Sequence, residues 1–259
     1  MSESAQPFSI LMVNYKTRQM TSLCLELLKT HIDTQRVEVV VVDNGSDDES
    51  VEYLRSLDWI TLVRRRQTKG EAAFISHGEA LDEGLKHVKN RYVCLLHTDT
   101  FIHDPQVFEL LLTKIRRKGV AAVGSLHQRH RGLHRRLFRS CKKATRYYFR
   151  KLLYLLGINS STPKPFRDIY LKSFCCMWDV DLIRSEKLQF CAEDKNPGYF
   201  MQDELTRRGF EFTNLKTRIL FDYLDHVQSG TVVELEKIEC NLRRAREYDR
   251  VLKLVSTGV

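Results

Sequence analysis

The chain has 259 residues, 42% hydrophobic and 29% charged, which suits one large α/β domain or two small ones with a sizeable core and argues against disorder. Its net charge of +9 is uneven: residues 110–167 hold sixteen Lys or Arg and no acid, whereas the rest holds 26 basic and 33 acidic residues, so one basic surface is predicted. No apolar run reaches the roughly 18 residues of a membrane span, the start lacks a secretory signal, and the seven cysteines lack a disulfide or metal pattern, so we expect a cytosolic protein.

Candidate strands alternate with candidate helices through the first hundred residues. Short apolar runs ending in polar residues indicate strands buried on both faces, and spacings of three and four indicate helices. Such alternation predicts βαβ units, an α/β fold and a mostly parallel sheet flanked by helices. The predicted strands are 8–17, 37–42, 59–64 and 92–99, and the predicted helices are 21–28, 51–57 and 78–90.

Polar residues follow three of these strands. They are Asn14 with Tyr15, the acidic turn 43–48, and the run from His97 to Asp99. In parallel α/β sheets, ligands bind beyond the carboxyl ends of the strands, so the three groups are predicted to line one site. The alternative is that each group only caps the helix that follows it.

The basic segment is predicted to be a helical insertion at residues 128–157. It follows a predicted helix at 107–118 and an apolar stretch at 119–126. Its apolar residues recur at steps of three and four, with Lys and Arg between them. Such a helix lies on an anionic membrane or binds an anionic acceptor, packs on the protein with a solvated basic face, or, least favoured, binds nucleic acid. The apolar stripe comprises Leu133, Leu137, Cys141, Ala144, Tyr148, Leu152 and Leu155.

The remaining segments are mixed. A strand and a short helix are predicted at 174–190, followed at 198–212 by a loop, a helix led by two acids, and a strand. A polar loop at 222–231 holds His226, and an amphipathic helix at 232–255 ends the chain.

A series of segments has the order and spacing of one family's motifs. They are "ILMVNYKT" with "VEVVVVDNGSDDES", "TKGEAAFISHG", "LLHTDTFI", "FCCMWDVDLIRSEKLQF", "QDELTRRGFEF" and "HVQSGT". Together, over about residues 8 to 231, they resemble the family 2 glycosyltransferases of the GT-A (Rossmann-like) fold. The resemblance implies inverting transfer of a sugar from a nucleotide-diphosphate donor to a hydroxyl.

By the same resemblance, the polar strand ends hold the donor. Asp43 would accept a hydrogen bond from a pyrimidine ring N–H, while Asp47 would reach the ribose or cap a helix. Thr68 and Ser76 stand where the family has asparagines, which alters contacts to the donor. The implied nucleotide-sugar contacts are Val13, Asn14, Tyr15, Asp43, Asn44, Ser76 and Thr98.

The resemblance also implies a divalent cation, Mn²⁺ or Mg²⁺, beside the diphosphate. Asp99 matches the last acid of the family's DxD motif, and His226 matches its late histidine. His97 replaces the first acid. Hard cations prefer carboxylate oxygen, and Mn²⁺ tolerates imidazole. This replacement is therefore expected to weaken Mg²⁺ binding and favour Mn²⁺ binding, or to leave neutralisation of the diphosphate charge to basic side chains.

A catalytic carboxylate is expected in "MQDELTRRG". Asp203 and Glu204 are the candidates, and Asp203 is preferred because the preceding Gln202, which stands where the family often has Glu, cannot take a proton. The base is expected at the N-terminus of a helix, where the helix dipole stabilises its charge.

The resulting hypothesis is one GT-A domain spanning 1–259, with a nucleotide-binding half at 8–104, an acceptor half at 105–231 and a C-terminal helix at 232–259. It would move a hexose or deoxyhexose from a UDP- or dTDP-sugar to a glycan or lipid-linked acceptor, as in cell-surface polysaccharide or lipopolysaccharide assembly. It would be cytoplasmic, with peripheral contact to anionic membrane. The alternatives are a non-catalytic protein that binds anionic glycan or nucleic acid, and a nucleotidyltransferase.

Overall fold

The computed structural model describes residues 6–68, 70–129, 133–158, 168–192 and 196–227. Strands and helices alternate along most of this length. The strands are β1 Phe8–Asn14, β2 Val37–Asn44, β3 Thr61–Arg65, β4 Tyr92–Leu96, β5 Thr100–Ile102, β6 Val120–Ser125, β7 Lys172–Asp179, β8 Glu211–Asn214 and β9 Leu224–His226. The helices are α1 Arg18–His31, α2 Ser50–Arg55, α3 Ala73–Leu85, α4 Gln106–Ile115, α5 Leu133–Leu155, α6 Val180–Ser185, α7 Tyr199–Arg207 and α8 Thr217–Leu220.

Seven strands form one sheet in the order β3-β2-β1-β4-β7-β6-β8. The first four are parallel, as are β6 and β8, whereas β7 runs antiparallel between β4 and β6. The predicted α/β fold with a mostly parallel sheet is therefore confirmed. A second, two-stranded sheet pairs β5 with β9.

Helices cover both faces of the large sheet. On β1, Ile10 and Met12 belong to a core that includes Leu25 of α1, whereas Leu11 belongs to the opposite core together with Leu81 of α3. A strand buried on both faces needs apolar residues at successive positions, which is why β1 and β2 read as continuous apolar runs. The carboxyl ends of β1, β2 and β4 consequently lie on the same edge.

Some predicted boundaries are wrong. Helix α3 begins at Ala73 instead of residue 78, and β4 ends at Leu96, so the run from His97 to Asp99 lies in a turn. His226 lies in strand β9, not in a loop. The predicted helix at 232–255 lies outside the described residues.

Two absences hold for the described ranges. None of the helices there is both long and apolar enough to cross a bilayer. The six cysteines in those ranges are free thiols.

Gly84 lets α3 approach the sheet closely. A Cβ at this position would lie 2.7 Å from Val42 Cγ2 and still closer to a methyl group of Leu11. Neither neighbour can retreat easily, because both are fully buried.

We expect Gly84→Ala to lower the free energy of unfolding by about 1–3 kcal/mol through overpacking, measured by urea denaturation. Glu83→Ala, at a partly exposed position of the same helix where Glu83 pairs only with the exposed Lys86, is the control and should change the free energy of unfolding by less than about 0.5 kcal/mol. Equal stability of the two variants would contradict this account of the packing.

Candidate active site

Asn14 connects the elements around the end of β1. Its Nδ2 donates to Asp43 Oδ1 at 3.1 Å and to Ser50 Oγ at 3.0 Å. Its Oδ1 accepts from Thr17 Oγ1 at 3.1 Å and from Thr21 Oγ1 at 2.8 Å. The amide is engaged on both sides within the protein, so in this structure it holds Asp43 in place. Direct contact between Asn14 and a nucleotide stays a prediction.

One carboxylate oxygen of Asp43 is buried without a hydrogen-bond donor. The side chain is fully buried, and Oδ2 has no hydrogen-bond partner among the described residues. The nearest cation is Arg64, whose Nε lies 3.9 Å from Oδ2. Because a buried acceptor without a donor is costly, Oδ2 is suited to receive an N–H group from a bound ligand.

The loop after β2 is fixed by short polar contacts. Lys16, in the left-handed region at φ 52°, pairs with Asp47 at 2.6 Å, and its N–H donates to Ser46 Oγ at 3.0 Å. Asp48 Oδ1 accepts from Ser50 N at 3.2 Å at the start of α2. The helix cap predicted for Asp47 is not formed, because Asp47 pairs with Lys16, and Glu49, which precedes α2, makes no side-chain cap hydrogen bond.

A second polar network joins the end of β2 to α3. Asn44 Nδ2 donates to Ser76 Oγ at 3.0 Å, and Asn44 Oδ1 accepts from Arg65 at 2.8 Å. Arg65 is in turn paired with Glu71 at 2.7 Å. Two predicted donor-binding residues, Asn44 and Ser76, are thus in direct contact.

The loop after β4 meets the same edge. The hydroxyls of Thr98 and Thr17 are 3.5 Å apart, which places the β4 loop against the end of β1. Tyr15 and Val13 are partly exposed nearby, with the Lys16 ammonium 5.6 Å from the Tyr15 ring centroid. The three predicted groups of polar residues therefore converge.

His97, Asp99 and His226 form a metal-like cluster. One ligand atom from each lies within 4.8 Å of the others. Asp99 Oδ1 is 3.3 Å from His226 Nε2 and 3.8 Å from His97 Nδ1. Pairing of Thr100 with His226 between β5 and β9 brings the residues together from distant parts of the chain.

Neighbouring groups orient both imidazoles. His226 Nδ1 lies 3.0 Å from the Gln128 carbonyl oxygen and therefore donates to it, which leaves the Nε2 lone pair toward Asp99. His97 Nε2 is 2.9 Å from Ser173 Oγ, with Nδ1 on the side of Asp99.

The cluster fits a divalent transition metal. Burial lowers the pKa of His97 to about 3 despite the opposing effect of Asp99, so the imidazole is neutral at pH 7 and its lone pair is available. A set of two imidazoles and one carboxylate suits Mn²⁺ better than Mg²⁺, which prefers oxygen ligands.

The two candidate bases have different surroundings. Asp203 accepts from the Tyr170 hydroxyl at 2.9 and 3.0 Å, and Tyr170 stacks on Tyr199 with 4.2 Å between ring centroids. Hydrogen bonds from Arg207 and then Arg208 hold the pKa of Glu204 below its usual value, so this carboxylate is engaged by two guanidinium groups.

The expected helix position of the base is wrong. Helix α7 begins at Tyr199, so Asp203 lies in its second turn and not at the N-terminus. The preceding Gln202 is buried, accepts from Leu171 N at 2.8 Å and donates to Leu171 O at 3.2 Å. Gln202 thus joins α7 to the chain before β7.

Residues 170–173 connect the base to the metal-like cluster. Tyr170 holds Asp203, and three residues later Ser173 contacts His97. The sequence did not identify Tyr170, Ser173 or Gln128. The last acts through a backbone carbonyl, which no motif can reveal, although the position of Tyr170 and Ser173 beside a predicted strand start was a usable indication.

Known proteins are similar to this chain in sequence and in fold. The Glycosyl transferase family 2 model matches residues 9–174. A mannosyltransferase of Pyrobaculum calidifontis, in complex with GDP-Man and Mn²⁺, is similar at TM-score 0.58 and 14% identity, over 83% of this chain and 56% of that one. S. aureus TarS 1-349 is similar at TM-score 0.52 and 15% identity, over 96% and 70%. Its complex with UDP gives TM-score 0.53 and 14% identity, over 82% and 58%.

These similarities support the GT-A-like fold. The chain spans about half the length of the mannosyltransferase, and the identities are low, so the likeness concerns the architecture.

We expect Asp99→Asn to weaken Mn²⁺ binding at least tenfold, because it removes the cluster's single carboxylate charge. Titration of free Mn²⁺ by electron paramagnetic resonance measures this. The exposed Asp222→Asn is the matched control and should retain wild-type affinity. Equal Mn²⁺ affinity in both variants would exclude the cluster as the metal site.

Proposed function

The chain belongs to glycosyl transferase family 2, and we propose that it transfers a sugar, with inversion, from a nucleotide-diphosphate donor to a hydroxyl of a glycan or lipid-linked acceptor. The observation that carries this proposal is the arrangement at one sheet edge. Asp43, a buried carboxylate whose Oδ2 has no hydrogen-bond partner among the described residues, lies at the end of β2. The metal-like cluster begins directly after β4, and residues 170–173 link that cluster to Asp203.

The reaction needs one base and a stabilised leaving group. The acceptor oxygen forms a bond to the anomeric carbon, and its proton passes to an oxygen of Asp203. The bond from that carbon to the diphosphate breaks, and the electron pair leaves with the diphosphate. Attack opposite the leaving group inverts the centre. A divalent cation held by His97, Asp99 and His226 would offset the charge of the diphosphate.

The donor we propose is a UDP- or dTDP-linked hexose or deoxyhexose. Asp43 Oδ2 is suited to the N3–H of a pyrimidine base. A guanine also presents N–H donors, and the similar structures were determined with GDP-Man and with UDP. The nucleobase that the site accepts therefore depends on the pocket around Asp43, and nucleotide binding measurements identify it.

The division of labour along the chain is part of the same proposal. Residues 8–104 bind the nucleotide, and residues 105–231 receive the acceptor within one domain. We place the enzyme on the cytoplasmic side, working on a carrier lipid for cell-surface polysaccharide or lipopolysaccharide.

A panel of UDP, dTDP, GDP and CDP, each with Mn²⁺, Mg²⁺ or EDTA, tests the donor site. We expect a pyrimidine diphosphate with Mn²⁺ to raise the melting temperature of wild type, since a ligand that binds the folded state stabilises it. The Asp99→Asn variant should lose the metal-dependent part of this rise in melting temperature, and the Asp222→Asn variant should keep it.

Different outcomes of this panel identify different errors. A rise for GDP alone would exclude the pyrimidine donor. A rise without metal would exclude the metal role of the cluster. Absence of any rise would favour a non-catalytic binding protein.

We expect Asp203→Asn to lower sugar transfer at least about 100-fold, because removing a general base costs this much, while leaving the nucleotide-dependent rise in melting temperature. The rate of transfer to the acceptor is measured from the release of the nucleoside diphosphate. Glu204→Gln, the adjacent control, should keep activity within about threefold of wild type. Loss of transfer in the Glu204 variant alone would reverse the assignment.

A further inference from the structure

Helix α5 exposes an apolar face to solvent. Phe138 and Leu155 are 74% and 71% exposed, and further apolar side chains along the helix are more than half exposed. At about 100° per residue, this set occupies an arc of roughly 120°. The alternative in which the apolar stripe packs on the protein is therefore wrong for these residues. The exposed set comprises Leu137, Phe138, Tyr148, Phe149, Leu152, Leu155 and Leu156.

The helix approaches the rest of the protein by another side. Lys143 donates to Asp168 Oδ2 at 2.9 Å, and Lys143, Ala144 and Tyr147 are less exposed than their neighbours. These three lie outside the apolar arc on the helical wheel. The apolar arc consequently points away from the protein contact.

Basic side chains flank the apolar arc. Arg139, Lys142, Arg146 and Arg150 are exposed and follow the arc on one side, Lys151 is exposed on its other side, and no acid occurs between residues 110 and 167. An apolar strip bordered by cations matches the boundary between acyl chains and anionic headgroups. Nucleic acid would use the cations but not the apolar strip, and a second copy of the chain would place two basic segments together.

The ends of this segment contact the site. Before α5, the Gln128 carbonyl accepts from His226. After it, Asp168, which also lies 3.4 Å from His127 Nδ1, precedes Tyr170 by two residues, and Tyr170 holds Asp203. Helix α5 is therefore connected at both ends to residues that contact the metal-like cluster or the base. A membrane or partner that binds α5 would lie close to both.

We infer that α5 docks on an anionic lipid bilayer by inserting its apolar arc among the acyl chains, and that this docking presents the site to an acceptor carried in the same bilayer. The first part stands on the exposed arc and its charges. The second part rests on the proposed function.

Vesicle co-sedimentation of the full chain tests the docking. The probes are phosphatidylcholine vesicles and vesicles of phosphatidylcholine with phosphatidylglycerol. Wild type should bind the anionic vesicles at least tenfold more tightly than the neutral ones. Phe149→Ser with Leu152→Ser should lower that affinity at least tenfold, and so should Lys142→Glu with Arg146→Glu, whose effect should shrink at high salt.

Two controls match these variants in chemistry. Ile219→Ser removes a partly exposed apolar side chain from α8, and Arg218→Glu reverses an exposed charge beside it. Both should bind vesicles as wild type does. All variants should keep the wild-type melting temperature, because the substituted side chains are exposed.

Three results would overturn the docking. The first is equal vesicle affinity of wild type and the Phe149→Ser, Leu152→Ser double variant, here called the serine pair. The second is equal binding of wild type to neutral and anionic vesicles. The third is a wild-type dimer, measured by light scattering, that the serine pair converts to a monomer while no vesicle binding occurs. The last would assign the face to a second copy of the chain.

The nucleotide melting panel separates this inference from the proposed function. Vesicle binding by a protein that binds no nucleotide would leave the docking intact and remove the transferase proposal. Nucleotide binding and transfer to a soluble acceptor without vesicle binding would support the transferase proposal and reject the docking. In the serine pair, the rise in melting temperature with nucleotide should equal that of wild type.

Discussion

The parallel pairing of β1 with β2 and β4 is the constraint on which the site depends. Buried on both faces, these strands have no polar side of their own, so the polar groups accumulate where the strands end. The Asn14 amide then bonds to Asp43 and to hydroxyls of α1 and α2, which fixes the distance between those ends. A less complete network would leave the Asp43 carboxylate buried without support, at a cost that the fold avoids.

The local sequence pattern was sufficient to predict the parallel strands, but it did not predict the contacts between distant segments. Continuous apolar runs predicted the first four strands, and the polar residues at their ends predicted that these groups would meet at one edge of the sheet. The antiparallel insertion of β7 and the pairing of β5 with β9 depend on contacts between distant residues, so the turn position of Asp99 and the strand position of His226 were not predictable from neighbours alone. The exposure of α5 was equally inaccessible, because periodicity identifies an apolar face without identifying what covers it.

His97 changes the electrostatics of the cluster without removing a ligand. A ligand set of two imidazoles and one carboxylate carries a single negative charge when it holds a metal, because a metal-bound imidazole is neutral, whereas a set with two carboxylates would carry two. A smaller negative charge repels a diphosphate less but holds a hard cation less strongly. The contacts of His97 with Ser173 and of His226 with Gln128 compensate in part, since fixed rings lose less freedom when they bind a metal.

Chain connectivity explains why α5 lies beside the site. Strand β6 runs parallel to β4, so it ends at the same edge, and the antiparallel β7 begins there. Any segment between β6 and β7 must therefore leave and return at the edge that carries the metal-like cluster. Gln128 and Asp168 mark those two points, in contact with His226 and Lys143. An insertion at this position changes what the site faces while leaving the sheet intact, because the strands on either side keep their pairing.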